Sequence, residues 1–278
     1  MKNLIFIFYL LIQCDVFAQQ DFAYTVKYRM VFLKDSNNTK VESNDIMLLR
    51  MNKNESLYYS YLRHFGQKNQ NEHFQKIKPD ESGMIDFGTS LEPIIGSFFI
   101  ENESEILNVH YDSTHYTVYD KFPPSLSFTY KDTLIAPVWK LGKKTDTLLG
   151  QFCQNATTTF KGRNFTAWFA PGIPYQMGPW LLNGLPGLIL KVSDDKNHYQ
   201  FNCLELNTDS SYTNIFFPYK KLKPVTKARL TELKRLYITD YDAFTRQISG
   251  KTLTVTSANG SPANFKKRPY NPIDLTNE

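Results

Sequence analysis

The sequence predicts a mainly β fold of the α+β kind: a curved antiparallel sheet or half-barrel with one long C-terminal helix packed on it. Three observations carry that expectation. Apolar and polar side chains alternate at period two in many short stretches, and Gly, Pro, Asn and Asp punctuate them. One segment near the C-terminus keeps a period of three to four instead. The chain also holds 17 Tyr, 21 Phe and 14 Pro, a balance that favours strands joined by turns over a helical bundle.

In chain order, Tyr24, Val26, Tyr28, Met30 and Phe32 share one face of a strand over 22–33, with Thr25, Lys27 and Arg29 on the other. Asp35-Ser36-Asn37-Asn38 is a turn, and strands follow at 45–52 and 56–62. Residues 63–104 are polar and Gly-punctuated and receive no assignment. Strands return at 115–122 and 127–132, separated by Pro123-Pro124. Residues 139–150 read as strand, turn at Gly142-Lys143-Lys144, and strand. Two hairpins follow. One joins 153–160 to 164–169 across Lys161-Gly162-Arg163, and the other joins 188–192 to 198–206 across 194–197. Leu230, Leu233, Tyr237, Tyr241, Phe244 and Ile248 line one face of a helix over 226–249, with Thr226 as N-cap and Gly250 as its stop. The tail 257–278 is read as irregular.

The first eighteen residues read as a cleavable secretion signal. Lys2 opens a positive start, Leu4 to Ile12 is uninterrupted apolar text, and Val16 with Ala18 places the cut after Ala18. The run is too short to span a bilayer, which takes roughly 20 residues, and no later segment has that length without charges. Leu11-Ile12-Gln13 before Cys14 does not resemble a lipobox, so export to the periplasm or the outer membrane is expected without a lipid anchor. The mature chain is then one β-rich domain, 19–256, followed by the tail.

The net charge of +5 is mild and dispersed. Clusters at Lys220, Lys221 and Lys223 and at Lys266, Lys267 and Arg268 lack the interleaved aromatics or motif context of a nucleic-acid binder, so no nucleic acid is expected. Cys153 and Cys203 survive cleavage. In an oxidising compartment two strand thiols commonly pair, so a Cys153–Cys203 disulfide is expected, with two separate buried thiols as the alternative.

The most distinctive text lies between 153 and 206. It runs Ala167-Trp168-Phe169, Ile173-Pro174, Gly178-Pro179-Trp180, then Gly184-Leu185-Pro186-Gly187-Leu188-Ile189, with Tyr270-Asn271-Pro272-Ile273-Asp274-Leu275 near the end. With these words the chain resembles the GLPGLI family of exported proteins, found mostly in the Bacteroidetes. The resemblance covers most of the mature chain and is strongest from 150 to 206. It implies an envelope location and brings no activity, catalytic residue or cofactor. Physically, Pro186 fixes its own φ and holds Leu185 extended, while Gly187 permits a positive φ or a close backbone approach. Leu188-Ile189-Leu190 then enters a strand buried on both faces. The hexapeptide reads as a stiff turn feeding a central strand, with Gly178-Pro179-Trp180 as a second turn.

Chemistry is sparse in this sequence. The pair His110 and His115, five apart, falls on opposite strand faces, and HExxH and CxxC are absent, so no metal site or cofactor is expected. No G-x-S-x-G elbow occurs. Glu101, Glu103 and Glu105 alternate as a wet strand face does. Arg163 is weighed as a carboxylate or phosphate clamp against a solvent-facing turn residue. Trp168 is weighed as a ligand contact against core packing. Trp180, with Leu185 and Pro186, is weighed as the lining of a cleft. Asp112-Ser113-Thr114, Asp132-Thr133-Leu134 and Asp146-Thr147-Leu148 have the form of short glycosylation words. The expected function is a non-enzymatic binding or carrier module for an apolar or amphipathic ligand. The alternative is an assembly factor for an outer-membrane complex, and an unrecognised hydrolase comes last.

Overall fold

The structure is a computed structural model, and it describes residues 24–38, 40, 42–52, 55–61, 105–110, 115–122, 126–208, 222–249 and 269–276. The secretion signal, the segment 63–104, the word Asp112-Ser113-Thr114, the clusters at 220–221 and 266–268, and Gly250 lie outside these residues.

Twelve strands form one sheet. In chain order they are β1 (Tyr24–Leu33), β2 (Glu42–Met51), β3 (Glu55–Ser60), β4 (Glu105–His110), β5 (His115–Phe122), β6 (Leu126–Thr133), β7 (Lys140–Leu148), β8 (Gln151–Phe160), β9 (Arg163–Ala170), β10 (Leu188–Asp194), β11 (Tyr199–Asn207) and β12 (Lys223–Pro224). Two helices follow, α1 (Lys227–Thr239) and α2 (Tyr241–Ser249). The spatial order is β12-β6-β5-β4-β3-β2-β1-β11-β10-β9-β8-β7. All neighbours run antiparallel except the two-residue β12, which lies parallel to β6.

That order places β6 and β7 ten strand spacings apart, although only residues 134–139 join them. A flat sheet would separate them by about 48 Å, while six linking residues reach at most about 25 Å. The sheet therefore bends back on itself, and the connection crosses the gap. Thr158 in β8 donates its hydroxyl to the Val138 carbonyl at 2.8 Å, and Trp139 donates its indole N–H to the Asn183 carbonyl at 2.8 Å.

Alternation sets the inner face. Val26, Tyr28, Met30 and Phe32 of β1 are buried, as are Phe165, Ala167 and Phe169 of β9, and they belong to one apolar cluster. A small second cluster, Leu48, Leu57 and Tyr59, covers part of the outer face. The strand after the hexapeptide is central, and Leu188, Ile189 and Leu190 are all buried. Its ladder to β9 shifts register between Ile189 and Lys191. The Ile189 carbonyl accepts the Tyr28 hydroxyl from β1 at 2.6 Å, a buried bond across the interior. Burial raises the Tyr28 phenol well above its usual range, so it stays a donor.

Two expectations need correction. Residues 140–148 are one strand; Gly142-Lys143-Lys144 is a bulge, marked by the register shift between Leu141 and Thr145. The Asn155 side chain fills the space above Gly142 and accepts the Lys144 N–H at 3.0 Å, which stabilises the extra residues without a chain reversal. The helix over 226–249 is broken into two short helices at Asp240 (φ −153°, ψ 81°). Asp240 ends α1 by donating its N–H to the Leu236 carbonyl, and its carboxylate accepts the Ala243 N–H at 3.0 Å to cap α2. The apolar stripe hid the break because Tyr237, Tyr241 and Phe244 still touch, with ring centroids 5.2–5.8 Å apart. Thr226 caps α1 as its sequence suggests, accepting the Arg229 N–H at 3.1 Å. Both helices pack on the sheet through Phe122, whose ring lies 5.3 Å from Tyr237 and 5.3 Å from Phe244.

A Cβ at Gly187 would sit 2.3 Å from the Ala170 carbonyl oxygen. The Gly187→Ala variant should therefore lose about 1–3 kcal/mol or more, read as a lower urea midpoint. Gly172→Ala, where a Cβ meets nothing within 4 Å, should leave the midpoint unchanged.

Candidate functional site

The β8–β9 turn builds the most polar part of the interior. Lys161 (φ 51°) and Gly162 (φ 79°) form a two-residue loop between the paired Phe160 and Arg163. A side chain at Gly162 would collide with Leu275, its Cβ falling 2.8 Å from the Leu275 Cβ. Arg163 thus opens β9, is buried, and is neither a solvent-facing turn residue nor an open clamp. Its Nε donates to the Ile273 carbonyl at 3.1 Å. Nη1 donates to Asp194 Oδ2 at 2.9 Å and lies 3.4 Å from His198 Nδ1. Nη2 donates to Asn271 Oδ1 at 2.8 Å and to the Pro272 carbonyl at 2.5 Å. A guanidinium carries five N–H groups; four of these contacts are donations to oxygen, and Nη1 also faces His198 Nδ1. Its plane also lies 4.9 Å from the Tyr199 ring centre.

The C-terminal segment completes this site. Asn271 donates Nδ2 to the Leu33 carbonyl at 2.7 Å, and its own carbonyl accepts the Tyr199 hydroxyl at 2.6 Å. Asp194 Oδ1 accepts the Tyr199 N–H at 2.8 Å, and the Leu275 N–H donates to the Lys161 carbonyl at 3.0 Å. Outside this lock lies a polar pocket of about 300 Å³, lined by Ser36, Asn164, Asp195, Lys196 and Tyr270 among others.

A second cleft separates β5 and β6 from α1, Trp180 and the tail. Its free volume is about 70 Å³, and Tyr116, Tyr130, Trp180, Leu230 and Lys234 line it. Lys227 joins its rim, 3.3 Å from both Asp132 and Asp274, with Lys161 3.9 Å from Asp274. Burial acts to raise both carboxyls. The Thr133 N–H and Lys227 outweigh it at Asp132, and the Thr276 hydroxyl and N–H with Lys227 and Lys161 outweigh it at Asp274, so both fall below the ordinary 3.8. The Tyr116 phenol is raised far above its usual range, by burial first and then by Tyr130 and Asp132. The cleft thus holds ionised carboxylates already paired with lysines and phenols that keep their protons.

The other residues singled out from sequence divide between these places. Trp180, at φ 56°, is 9% exposed and lies 5.8 Å from the Phe160 ring and 6.4 Å from Phe165. Trp168 sits half-buried on β9, in line with exposed Thr166 and Asn164, and packs against the main apolar cluster. Leu185 is fully buried, whereas Pro186 is exposed. Gly178 and Pro179 are buried, a Cβ at Gly178 would press within 2.8 Å of Ile189, and Gly184 has φ 86°. Backbone bonds from Gly184 to Gln176 and from Ile189 to Met177, both 2.9 Å, close the hexapeptide loop.

Cys153 and Cys203 are free thiols. They lie on β8 and β11, with β9 and β10 between. Three strand spacings are roughly 14 Å along the sheet, beyond the roughly 7 Å over which two Cα atoms can be bridged. Each sulfur contacts a carbonyl two residues away, Gln151 at 3.5 Å and Glu205 at 3.6 Å. Burial pushes the Cys203 thiol up to about 12, against a smaller lowering by a backbone hydrogen bond at Glu205. Among the described residues no group of three His, Cys, Asp or Glu is arranged to hold a metal ion, and no helix is long and apolar enough to cross a membrane.

The sequence pointed to Arg163 but missed Asp194, Tyr199 and Asn271, its partners. The signal for Asn271 was the closing Asn-Pro-Ile-Asp text, whose contacts no local pattern reveals.

With this geometry in view, the chain compares as follows. The model of a family described as a protein of unknown function (Porph_ging) matches residues 141–191, a stretch that contains the hexapeptide. No curated protein matches the chain. Among solved structures, two are similar to it at low identity. The structure of PNGF-II in a C2 space group is 12% identical, with a TM-score of 0.50, over 76% of this chain and 32% of that one. The structure of PNGF-II in a P21 space group is 12% identical, with a TM-score of 0.48, over 75% and 32%. The chain thus spans about a third of the length of the solved chains it matches, and the likeness concerns fold alone.

Two measurements test the site. Removing Arg163 leaves Asp194 buried without its charge partner, so Arg163→Met should cost about 3–5 kcal/mol in urea unfolding. Carboxyls held below their unfolded value stabilise fully above that value, and the gain is lost as pH falls through the folded value. Thermal stability should therefore drop on acidification below the ordinary 3.8 of Asp132 and Asp274, with a shallower acid slope in Lys227→Met.

Proposed function

We propose that this chain is an exported envelope protein that acts as a non-enzymatic interaction module, docking an extended segment of an outer-membrane partner on the edge of its sheet at β7. The observation that carries this reading is an exposed sheet edge flanked by apolar side chains. Among the described residues β7 ends the strand order, and every one of its positions is exposed or half-exposed. Large apolar side chains collect beside it: Val138 is 89% exposed, Ile135 62%, Phe152 61% and Leu141 51%.

The backbone of that edge is set by its hairpin. Leu149 and Gly150, both at positive φ, form a two-residue loop that closes the Leu148–Gln151 pair. Such a pair exchanges both hydrogen bonds. Leu148 and Asp146 therefore aim their backbone groups at β8, while Thr145 and Thr147 aim theirs outward, the Thr147 N–H donating to Asp146 Oδ1 at 2.8 Å. The bulge at Gly142-Lys143-Lys144 and the flanking Lys140 discourage the edge from pairing with itself. They favour a partner strand that alternates apolar and acidic residues, added by β-augmentation.

Export rests on Lys2, the apolar Leu4 to Ile12 and the Val16–Ala18 cleavage text. The carrier reading has less behind it. The cleft beneath α1 offers about 70 Å³, whereas sites for small molecules measure about 300–1,000 Å³.

The test is Thr145→Pro. Proline removes one outward N–H and no ladder bond, so folding should persist. In the native envelope, a photo-crosslinker at Thr147 should capture one partner segment, with capture at least tenfold lower in Thr145→Pro and in Phe152→Asp. Unchanged capture in both variants would refute the edge as the docking surface.

A further inference from the structure

The segment 270–275 is held as a bound peptide is held. None of residues 269–276 belongs to a strand or helix, so every ladder of the sheet is complete without them. The sheet reads this segment residue by residue. Three successive carbonyls, of Asn271, Pro272 and Ile273, accept from Tyr199 and Arg163. Both ends of the Asn271 amide are used, Oδ1 by Arg163 and Nδ2 by the Leu33 carbonyl. An aspartate has no donor for Leu33, and an alkyl side chain has nothing for Arg163. Pro272 brings no N–H that burial would leave unpaired. Ile273 enters the apolar core, Asp274 meets Lys161 and Lys227, and Leu275 covers Gly162.

On the receiving side, the contacts come from preformed elements: the β8–β9 turn, the ends of β1 and β10, and the start of β11. Arg163 is fixed by Asp194 independently of the tail. We infer that this groove is a peptide-recognition site for an extended Asn-Pro-Ile-Asp segment, occupied in cis by the chain's own residues, and that the C-terminal segment of a second copy takes the same seat in trans. The tether 250–268 gives the resident segment its advantage through effective concentration. Exchange between two copies conserves every contact, since donor and acceptor surfaces are identical in both.

A full-length chain carrying a protease site between residues 257 and 264 tests this, cut after folding. A fluorescent peptide of residues 269–278 should then displace the resident segment, measured by anisotropy and by release of the unlabelled fragment on gel filtration. The Asn271→Asp peptide should bind at least tenfold more weakly. Two differently tagged uncut copies, mixed at high concentration, should form a dimer that the excess peptide dissolves. Failure of the cut protein to bind peptide, unfolding on cleavage, or equal binding of the Asn271→Asp peptide would overturn the recognition site. Peptide exchange without any peptide-sensitive dimer would overturn the exchange between copies. Asn271→Asp in the uncut chain, kept folded by its tether, should abolish the dimer while far-ultraviolet circular dichroism stays unchanged.

Discussion

Six residues, 134–139, join strands that stand near opposite ends of a twelve-stranded sheet, and much else in the molecule follows from that short span. A chain that short cannot bridge a flat sheet. The bend it enforces brings β5 and β6 to face Trp180 across the cleft beneath α1. It also lays Val138 and Trp139 against β8 and the hexapeptide loop. One continuous apolar cluster then fills the concave side, from Val118 to Phe169. Shape here comes from a tether as much as from side-chain preference.

Closing the sheet leaves polar groups inside, and at the Ile189 carbonyl and at Asp194 the fold supplies long-range partners. The bulge at β10 frees the Ile189 carbonyl, and Tyr28 reaches it from two strands away. Asp194 enters the interior at the end of the same strand and is matched by Arg163. That ion pair is worth little as a pair; its removal is costly because one charge would stay behind unpaired. What it does is fix the orientation of a planar group with five donors. Three of those donors are then free to hold the C-terminal segment. The tail, irregular in backbone, is thus among the most specifically bound parts of the molecule.

Functional character follows from where polar and apolar surface end up. The paired charges of the cleft rim sit in bonds that hold α1, β6 and the tail together. Burial holds both thiols up, and the carboxylates of Asp146 beside Cys153 and Glu205 beside Cys203 push the same way. By contrast the β7 edge keeps its backbone at the surface, with large apolar side chains beside it in solvent, an arrangement that costs solubility.

Local sequence determined most of the strands, though not β4 or β12, together with the hairpin turn at Lys161-Gly162, the Thr226 cap and the stiff entry of the hexapeptide into a central strand. Each of these rests on forces between residues a few positions apart: alternation, steric limits on φ, and a side-chain oxygen within reach of an N–H. Only the tertiary structure decided the break at Asp240, where the apolar stripe runs on although the backbone does not. It also decided the bulge in β7, the separation of Cys153 from Cys203, and the partners of Arg163. The physical reason is range. Arg163 finds Asn271 108 positions away, and Asn271 finds Leu33 238 positions away. Such meetings depend on how a sheet of twelve strands closes, which no window of neighbouring residues records.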